Sequence, residues 1–176
     1  MSQHIEVMIP REEIDRRIHE IAAEISREYA GRTIHMICVL KGGVYFMTML
    51  SNLIAEEVPV TLDFMSVSSY GDATSSSGIV RIVKDLDESL EGKDVILVED
   101  IIDSGRTLHH LLKILHARNP KSLKLCTLLD KPDRRVCDVK VDWTGFEIED
   151  RFVIGCGMDY KQKYRNLPYI GEIVED

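Results

Sequence analysis

Short apolar runs, each followed by a stretch with helical periodicity, are the feature that most constrains the fold of this chain. The runs are IHMICVL (34–40), VILV (95–98) and LKLCTLL (123–129). Strands that are buried on both faces and separated by helices are typical of a parallel sheet. The sequence therefore predicts an α/β fold in which a mostly parallel sheet is flanked by helices on both faces.

The remaining elements are predicted from the same patterns. Isoleucines from Ile14 to Ile25 recur at helical spacing and predict an amphipathic helix that stops near Gly31. The other predicted helices cover 44–56 and 107–117. Strands are predicted at 60–67 and 79–83, joined as a long hairpin by the polar loop 68–78. After Val139 the pattern is irregular, and FVIG (152–155) is its clearest strand.

Composition narrows the class of protein. A chain of 176 residues with 44% hydrophobic and 30% charged residues predicts one folded domain. The formal net charge of -8 argues against a general nucleic-acid binder. Four scattered cysteines without a CxxC pair favour reduced thiols. Neither a signal peptide nor a membrane-spanning stretch is evident, so we expect a cytoplasmic protein without membrane attachment.

An acid-rich segment, VILVEDIIDSGRTL (95–108), is the strongest indication of function. Ligands of parallel sheets bind beyond the carboxyl ends of the strands, where Glu99, Asp100 and Asp103 are expected. Backbone amides in DSGRT (103–107) would converge at a helix N-terminus, which suits a phosphate. Carboxylates tolerate that phosphate only if a divalent cation or sugar hydroxyls lie between them. A ribose 5-phosphate that carries pyrophosphate meets these demands, whereas a solvated helix cap is the simpler alternative.

Five ordered motifs resemble the type I phosphoribosyltransferases, and in particular their hypoxanthine-guanine branch. The motifs are LKGG (40–43), DFMSVSSYG (63–71), VILVEDIIDSGRTL (95–108), LLDKPDRR (128–135) and FEIEDRFVIGCGMDYKQKYRNLPYIG (146–171). The resemblance covers nearly the whole chain. It implies one phosphoribosyltransferase domain over 1–176, with a small hood over the carboxyl ends of the strands. The hood would be built from the N-terminal segment and roughly 139–176.

The resemblance also implies roles for residues around the sugar. Glu99 and Asp100 would hold the ribose hydroxyls directly or through Mg²⁺, and Asp159 would lie near the metal and the purine 2-position. Asp103 would be the catalytic acid/base near purine N7. The loop that cradles the 5-phosphate would consist of Asp103, Ser104, Gly105, Arg106 and Thr107.

Pyrophosphate would be bound by a separate set of residues. The resemblance assigns Lys41 and Gly42 to a pyrophosphate loop, in which the Leu40–Lys41 bond can be cis, and makes Arg165 a pyrophosphate ligand. The loop 68–78 would be a mobile lid that excludes water, with Ser69 and Tyr70 as its functional pair.

The purine would be bound by four further residues. Ile101 would pack against the ring and Phe152 would stack on it, while Val153 offers main-chain hydrogen bonds. Lys131 would donate to the oxygen at purine position 6. An ammonium has no acceptor lone pair for a 6-amino group, so this residue would favour hypoxanthine and guanine over adenine.

The expected activity is transfer of phosphoribose from phosphoribosyl pyrophosphate to a 6-oxopurine base, giving IMP or GMP and pyrophosphate, with Mg²⁺ as cofactor. The family resemblance implies a homodimer or homotetramer. One alternative is a phosphoribosyl-pyrophosphate-sensing regulatory protein of the same fold, which would need a basic face or an added DNA-binding domain. Another is a phospho-acceptor receiver domain, although its acids normally come from separate strands.

Overall fold

Two sheets organise the computed structural model, which describes residues 3–69 and 80–175. The helices are α1 (Arg11–Glu28), α2 (Gly43–Ser51) and α3 (Arg106–His116), with a short 3-10 helix at Pro132–Arg134. The strands are β1 (Gln3–Ile9), β2 (Ile34–Val39), β3 (Val60–Ser69), β4 (Val80–Lys84), β5 (Asp94–Ile102), β6 (Ser122–Asp130), β7 (Trp143–Glu147), β8 (Val153–Ile154) and β9 (Ile170–Glu175).

The larger sheet has six strands in the order β4-β3-β2-β5-β6-β7. Every neighbouring pair from β3 to β7 is parallel, and β4 pairs antiparallel with β3 as the predicted hairpin. The mostly parallel α/β architecture expected from the apolar runs is therefore confirmed. The connections after β2, β5 and β6 all lie at the carboxyl edge of this sheet.

The side chains of the central strands alternate between two hydrophobic cores. Met36 and Ile96 face α1 and α2, whereas Ile37 and Leu97 face α3. Because both faces are covered, the central strands contain almost no polar positions. This double burial explains why the central strands appear in the sequence as continuous apolar runs.

The smaller sheet joins the two ends of the chain. Its order is β1-β9-β8, with antiparallel pairing throughout. The sequence did not predict β7 or β9, and the predicted strand 152–155 shrinks to Val153–Ile154. Residues Gln3 and Glu175 pair across this sheet, a contact that no local periodicity can indicate.

Two predicted boundaries were wrong for reasons that lie in tertiary contacts. The helix predicted over 44–56 ends at Ser51, and the amide of Ala55 donates to the Ser26 hydroxyl at 2.9 Å instead of continuing the helix. Strand β5 extends past Val98 to Ile102, so that Glu99 and Asp100 belong to the strand itself. Among the described residues, no helix is both long and apolar enough to span a membrane.

Candidate active site

Two adjoining cavities lie at the carboxyl edge of the larger sheet. The first, here called the rim cavity, has a volume of about 210 Å³ and is lined by Asp100, Ile101, Asp103, Lys131, Phe152, Val153, Met158 and Asp159. The second, called the loop cavity, has about 220 Å³ and is lined in part by Glu99, Ile101, Asp103, Ser104, Gly105 and Thr107. Ile101 and Asp103 line both, so the two cavities are neighbours on one rim.

Glu99 and Asp100 form a mostly buried pair of like charges at the end of β5. Burial raises the pKa of Glu99 well above its usual range, and the charge of Asp100 raises it further. Burial also raises the pKa of Asp100, with partial relief from the Ile101 amide, which donates to it at 2.9 Å. Within residues 3–69 and 80–175, no lysine or arginine forms an ion pair with either carboxylate. The pair is therefore suited to a cation or to hydroxyl donors.

The repulsion between the Glu99 and Asp100 carboxylates predicts that the Glu99→Gln variant is more thermostable than the wild type at pH 7.5. Burial of Glu99 raises its pKa in the folded state. The wild-type protein therefore keeps its full free energy of unfolding below about pH 4.5, the usual pKa of Glu, and loses part of it as the pH rises through the folded-state pKa. A gain of about 1 kcal/mol would raise Tm by roughly 2–4 °C in a chain of this size.

Thermal melts across pH 4–8 test this expectation. The gain in Tm should shrink as the pH falls, because Glu99 becomes neutral in the wild type as well. The exposed Glu91 gives the matched control, Glu91→Gln, which should melt like the wild type at every pH. A Glu99→Gln protein that melts at or below the wild-type Tm at pH 7.5 would contradict the assigned repulsion.

Glycines let three segments of the rim meet closely. A Cβ at Gly42 would overlap the Asp100 carboxylate, and a Cβ at Gly157 would overlap the carbonyl oxygen of Gly42. Gly157 also has a φ of +102°, which other residues rarely adopt. The peptide bond between Leu40 and Lys41 is cis. The turn after β2 is thus placed directly against the carboxylate pair.

Arg165 and Asp159 form an ion pair beside that turn. The guanidinium of Arg165 lies 2.9 Å from Asp159 Oδ1 and donates to the Gly157 carbonyl at 2.6 Å. The other oxygen of Asp159 accepts from the Gln162 amide at 2.7 Å. Lys41 Nζ lies 3.3 Å from the Gln162 side-chain oxygen. Asp159 therefore has both carboxylate oxygens engaged in this structure.

A divalent cation would fit this rim only if a bound ligand supplied part of its coordination shell. The part of the chain that the structure describes holds no cluster of three or more His, Cys, Asp or Glu side chains arranged around a metal. Glu99 and Asp100 are the two predicted ligands whose charge has no ion-pair partner in that part. Mg²⁺ is commonly held by one or two carboxylates, with waters and substrate phosphates completing its octahedron. The donor set present here matches that pattern.

The loop between β5 and α3 has the geometry of an anion site. Gly105 precedes the helix with a φ of +80°, and a Cβ there would lie 2.9 Å from Arg135 Cδ. Amides in the first turn of a helix have no intrahelical acceptor, and Thr107 adds a hydroxyl to the same wall. Ser104 Oγ accepts from the Arg106 amide at 3.4 Å. The predicted phosphate loop is thus assembled at the N-terminus of a helix of 11 residues.

Four charged side chains meet at the edge of the rim cavity and are here called the charge quartet: Asp103, Lys131, Arg134 and Asp150. Arg134 Nε donates to Asp103 at 3.0 Å, and its Nη1 lies 3.5 Å from Asp150. Lys131 Nζ lies 3.8 Å from Asp103 and 3.5 Å from Asp150. Lys131 is buried, whereas the other three are about half exposed. The sequence motifs pointed to Asp103 and Lys131 but not to Arg134 or Asp150.

Apolar side chains form the remaining walls of the rim cavity. Phe152 is 59% exposed, and its ring makes a T-shaped contact with the ring of Tyr160, with the two ring centroids 5.9 Å apart. Ile101 and Val153 line the same space, as does Met158, which sequence reasoning missed. An exposed aromatic ring beside polar groups is typical of a site for a flat ligand.

Part of the predicted site lies beyond what the structure describes. Ser69 is the last residue of β3, whereas Tyr70 and the rest of the predicted lid, through residue 78, fall outside the described residues.

A cavity of about 710 Å³, larger than the two at the rim, lies at the opposite edge of the sheet and contains none of the predicted site residues. Its cations already have acidic partners: Arg32 and Lys121 approach Asp94, and Lys93 approaches Glu88. Charge compensation there contrasts with the uncompensated carboxylates of the rim, so size alone does not locate the site.

Comparison with known proteins shows the family to which this chain belongs. The family model of the phosphoribosyl transferase domain matches residues 10–161. The chain belongs to the phosphoribosyltransferase family. It is 49% identical to the hypoxanthine phosphoribosyltransferase of Salmonella typhimurium, over 99% of this chain and 98% of that protein. It is 50% identical to the hypoxanthine-guanine phosphoribosyltransferase of Bacillus subtilis, over 94% of this chain and 91% of that protein.

Solved structures agree with this family assignment. The crystal structure of a hypoxanthine-guanine phosphoribosyltransferase from Bacillus anthracis superposes with a TM-score of 0.92 at 43% identity, covering 99% of this chain and 100% of that one. The chain is therefore a phosphoribosyltransferase enzyme with the fold predicted from its sequence. These relatives give no support to the alternative of a regulatory protein. The family assignment also excludes the alternative of a phospho-acceptor receiver domain.

Proposed function

We propose that this phosphoribosyltransferase transfers phosphoribose to hypoxanthine or guanine in purine salvage. The observation that carries the proposal is the rim cavity, in which the buried Lys131 ammonium, the Phe152 ring and the Asp103 carboxylate border one space beside the carboxylate pair. The relatives named for hypoxanthine and guanine transfer support the same conclusion.

Phosphoribosyl pyrophosphate is expected to lie along the rim. Glu99 and Asp100 would accept from the ribose hydroxyls, and amides of 104–107 would hold the 5-phosphate. Lys41, the amide of Gly42 and Arg165 would bind the pyrophosphate. Mg²⁺, held by Glu99 and Asp100 with Asp159 nearby, would neutralise charge on the departing pyrophosphate.

The purine ring is expected to fill the rim cavity. Ile101 would lie against one face of the ring and Phe152 against the other. Lys131 would donate to the oxygen at C6, and the main chain of Val153 would recognise the ring edge. Asp159 would lie near the 2-position. An adenine amino group would meet the Lys131 donor with a donor of its own, leaving the base-facing N–H of the buried ammonium without an acceptor.

The chemistry of the transfer is governed by charge. Purine N9 forms a bond to ribose C1′ as the bond from C1′ to the pyrophosphate oxygen breaks. The electron pair of that bond leaves with pyrophosphate, and the proton released from the ring at N7 passes to the Asp103 carboxylate. Arg134 and Lys131 keep Asp103 oriented at the cavity edge before the base arrives.

Several further features belong to the proposal. The small sheet of β1, β8 and β9 would form the hood, and 68–78, with Ser69 and Tyr70, would close as a lid. We expect one phosphoribosyltransferase domain over 1–176, located in the cytoplasm. We also expect a homodimer or homotetramer, as the family resemblance implies.

A panel of purine bases tests the proposed function. Each of hypoxanthine, guanine, xanthine and adenine would be incubated with phosphoribosyl pyrophosphate and MgCl₂, and the nucleotide and pyrophosphate products quantified. We expect IMP and GMP, each with one equivalent of pyrophosphate, and at least about 100-fold lower kcat/KM with adenine, which matches about 3 kcal/mol for an unsatisfied buried donor. Equal use of adenine, or no nucleotide from hypoxanthine or guanine, would overturn the proposal.

A further inference from the structure

We propose that Asp150 is a positioning residue for base recognition, acting through the two cations of the charge quartet. This inference rests on the proposed role of Lys131. Asp150 lies between β7 and β8, and its carboxylate approaches Lys131 and Arg134 at 3.5 Å each. It is therefore a shared counter-ion for both cations, at the edge of the rim cavity.

The placement of Lys131 shows why a second acid is needed. The Lys131 side chain is only 8% exposed, and its ammonium lies between Asp103 at 3.8 Å and Asp150 at 3.5 Å. Neither separation is that of a short charge-assisted hydrogen bond, and an ammonium has three donors. The balanced attraction leaves Lys131 available to a third acceptor, which the proposed function identifies as the oxygen at purine C6.

Without the charge of Asp150, both cations would have only Asp103 as a counter-ion among the described residues, 3–69 and 80–175. Lys131 would then move toward Asp103 and away from the purine oxygen, and Arg134, which already donates to Asp103 at 3.0 Å, would lose its second partner. Base recognition would weaken because its donor is misplaced. Binding of phosphoribosyl pyrophosphate would be unaffected, because Asp150 neither lines the loop cavity nor contacts the Gly42 turn.

The Asp150→Asn variant tests this inference by removing charge at nearly constant size. We expect KM for hypoxanthine to rise about tenfold and the preference for hypoxanthine over adenine to fall by a similar factor, the effect of losing one oriented interaction. KM for phosphoribosyl pyrophosphate should stay within twofold. Folding should be preserved, since the Asp150 carboxylate is half exposed and the buried Lys131 keeps Asp103 as a partner. Asp150→Glu should restore at least part of the selectivity.

Two further variants make the test specific. Glu149→Gln removes the neighbouring exposed acid, whose side chain has no ion pair among residues 3–69 and 80–175, and should behave like the wild type. In a Lys131→Met background, Asp150→Asn should cause little further loss of selectivity, because Asp150 acts through Lys131.

The outcomes separate this inference from the proposed function. If Lys131→Met loses selectivity but Asp150→Asn keeps wild-type KM and selectivity, the positioning role is wrong and the proposed function stands. If Lys131→Met also keeps the preference over adenine, the base-recognition role of Lys131 is wrong, and the inference falls with it. Equal, additive losses in both backgrounds would assign Asp150 a merely structural role.

Discussion

Replacing Asp103 with asparagine is expected to lower kcat by roughly 10²–10⁴-fold, the usual contribution of a general acid or base. Asparagine keeps the size of the side chain but cannot take up the ring proton as the purine bonds to C1′. Binding of phosphoribosyl pyrophosphate should change little, because the carboxylate pair and the 104–107 amides remain in place. Single-turnover kinetics and a separate titration with phosphoribosyl pyrophosphate would measure the two effects independently.

A matched control lies three residues beyond the buried strand β6. Asp133 is exposed in the 3-10 helix and faces neither cavity, so Asp133→Asn should keep wild-type turnover. The Asp103 ion pair with Arg134 is about half exposed and contributes at most about 1 kcal/mol to stability, so the variant should fold. Wild-type turnover by Asp103→Asn would reject the acid/base assignment.

The central sheet and its rim could be predicted from sequence because they depend on local patterns. The double burial of β2, β5 and β6 leaves a continuous apolar signature in each strand. In a parallel sheet, the loops after these strands must then lie on one edge. This is why the turn at Gly42 and the loop at Asp103, far apart in the chain, could be predicted on one edge of the sheet, where Lys131 also lies.

The rest of the site depends on contacts that no local pattern records. The pairing of β1 with β9 joins residues at opposite ends of the chain. Asp150 and Arg134 look like ordinary surface charges in FEIED and DKPDRR, and only the fold brings their side chains together. Nothing in the sequence distinguishes Gly157 among the 11 glycines, and only the structure shows that its backbone lies against Gly42. The ion pair that engages Asp159 with Arg165 was likewise not foreseen.

Removal of divalent cations is expected to weaken binding of phosphoribosyl pyrophosphate by at least about 100-fold. The pKa values of Glu99 and Asp100 are raised because the two charges are mostly buried together. Bringing a pyrophosphate toward this pair without Mg²⁺ would add like charge to a site that is already repulsive. Leaving a buried charged group unsatisfied costs about 3 kcal/mol, which corresponds to the stated factor.

Neutralising the pair should remove that dependence on metal. In a Glu99→Gln, Asp100→Asn double variant, the carboxylates no longer repel the ligand, and they no longer attract the cation either. The ratio of affinities with and without Mg²⁺ should therefore fall toward one, while the amides of 104–107 still bind the 5-phosphate. The variant should remain folded, because the substitution relieves repulsion at a mostly buried position.

Calorimetric titration of the wild-type chain with phosphoribosyl pyrophosphate, in excess MgCl₂ and again in EDTA, tests most directly whether this rim holds a metal-bound sugar diphosphate. The expected result is saturable binding at one site per chain with Mg²⁺, at least about 100-fold weaker binding in EDTA, and little difference between the two conditions for the double variant. Equal wild-type affinity in both conditions, or no binding in MgCl₂, would contradict the function assigned to Glu99 and Asp100.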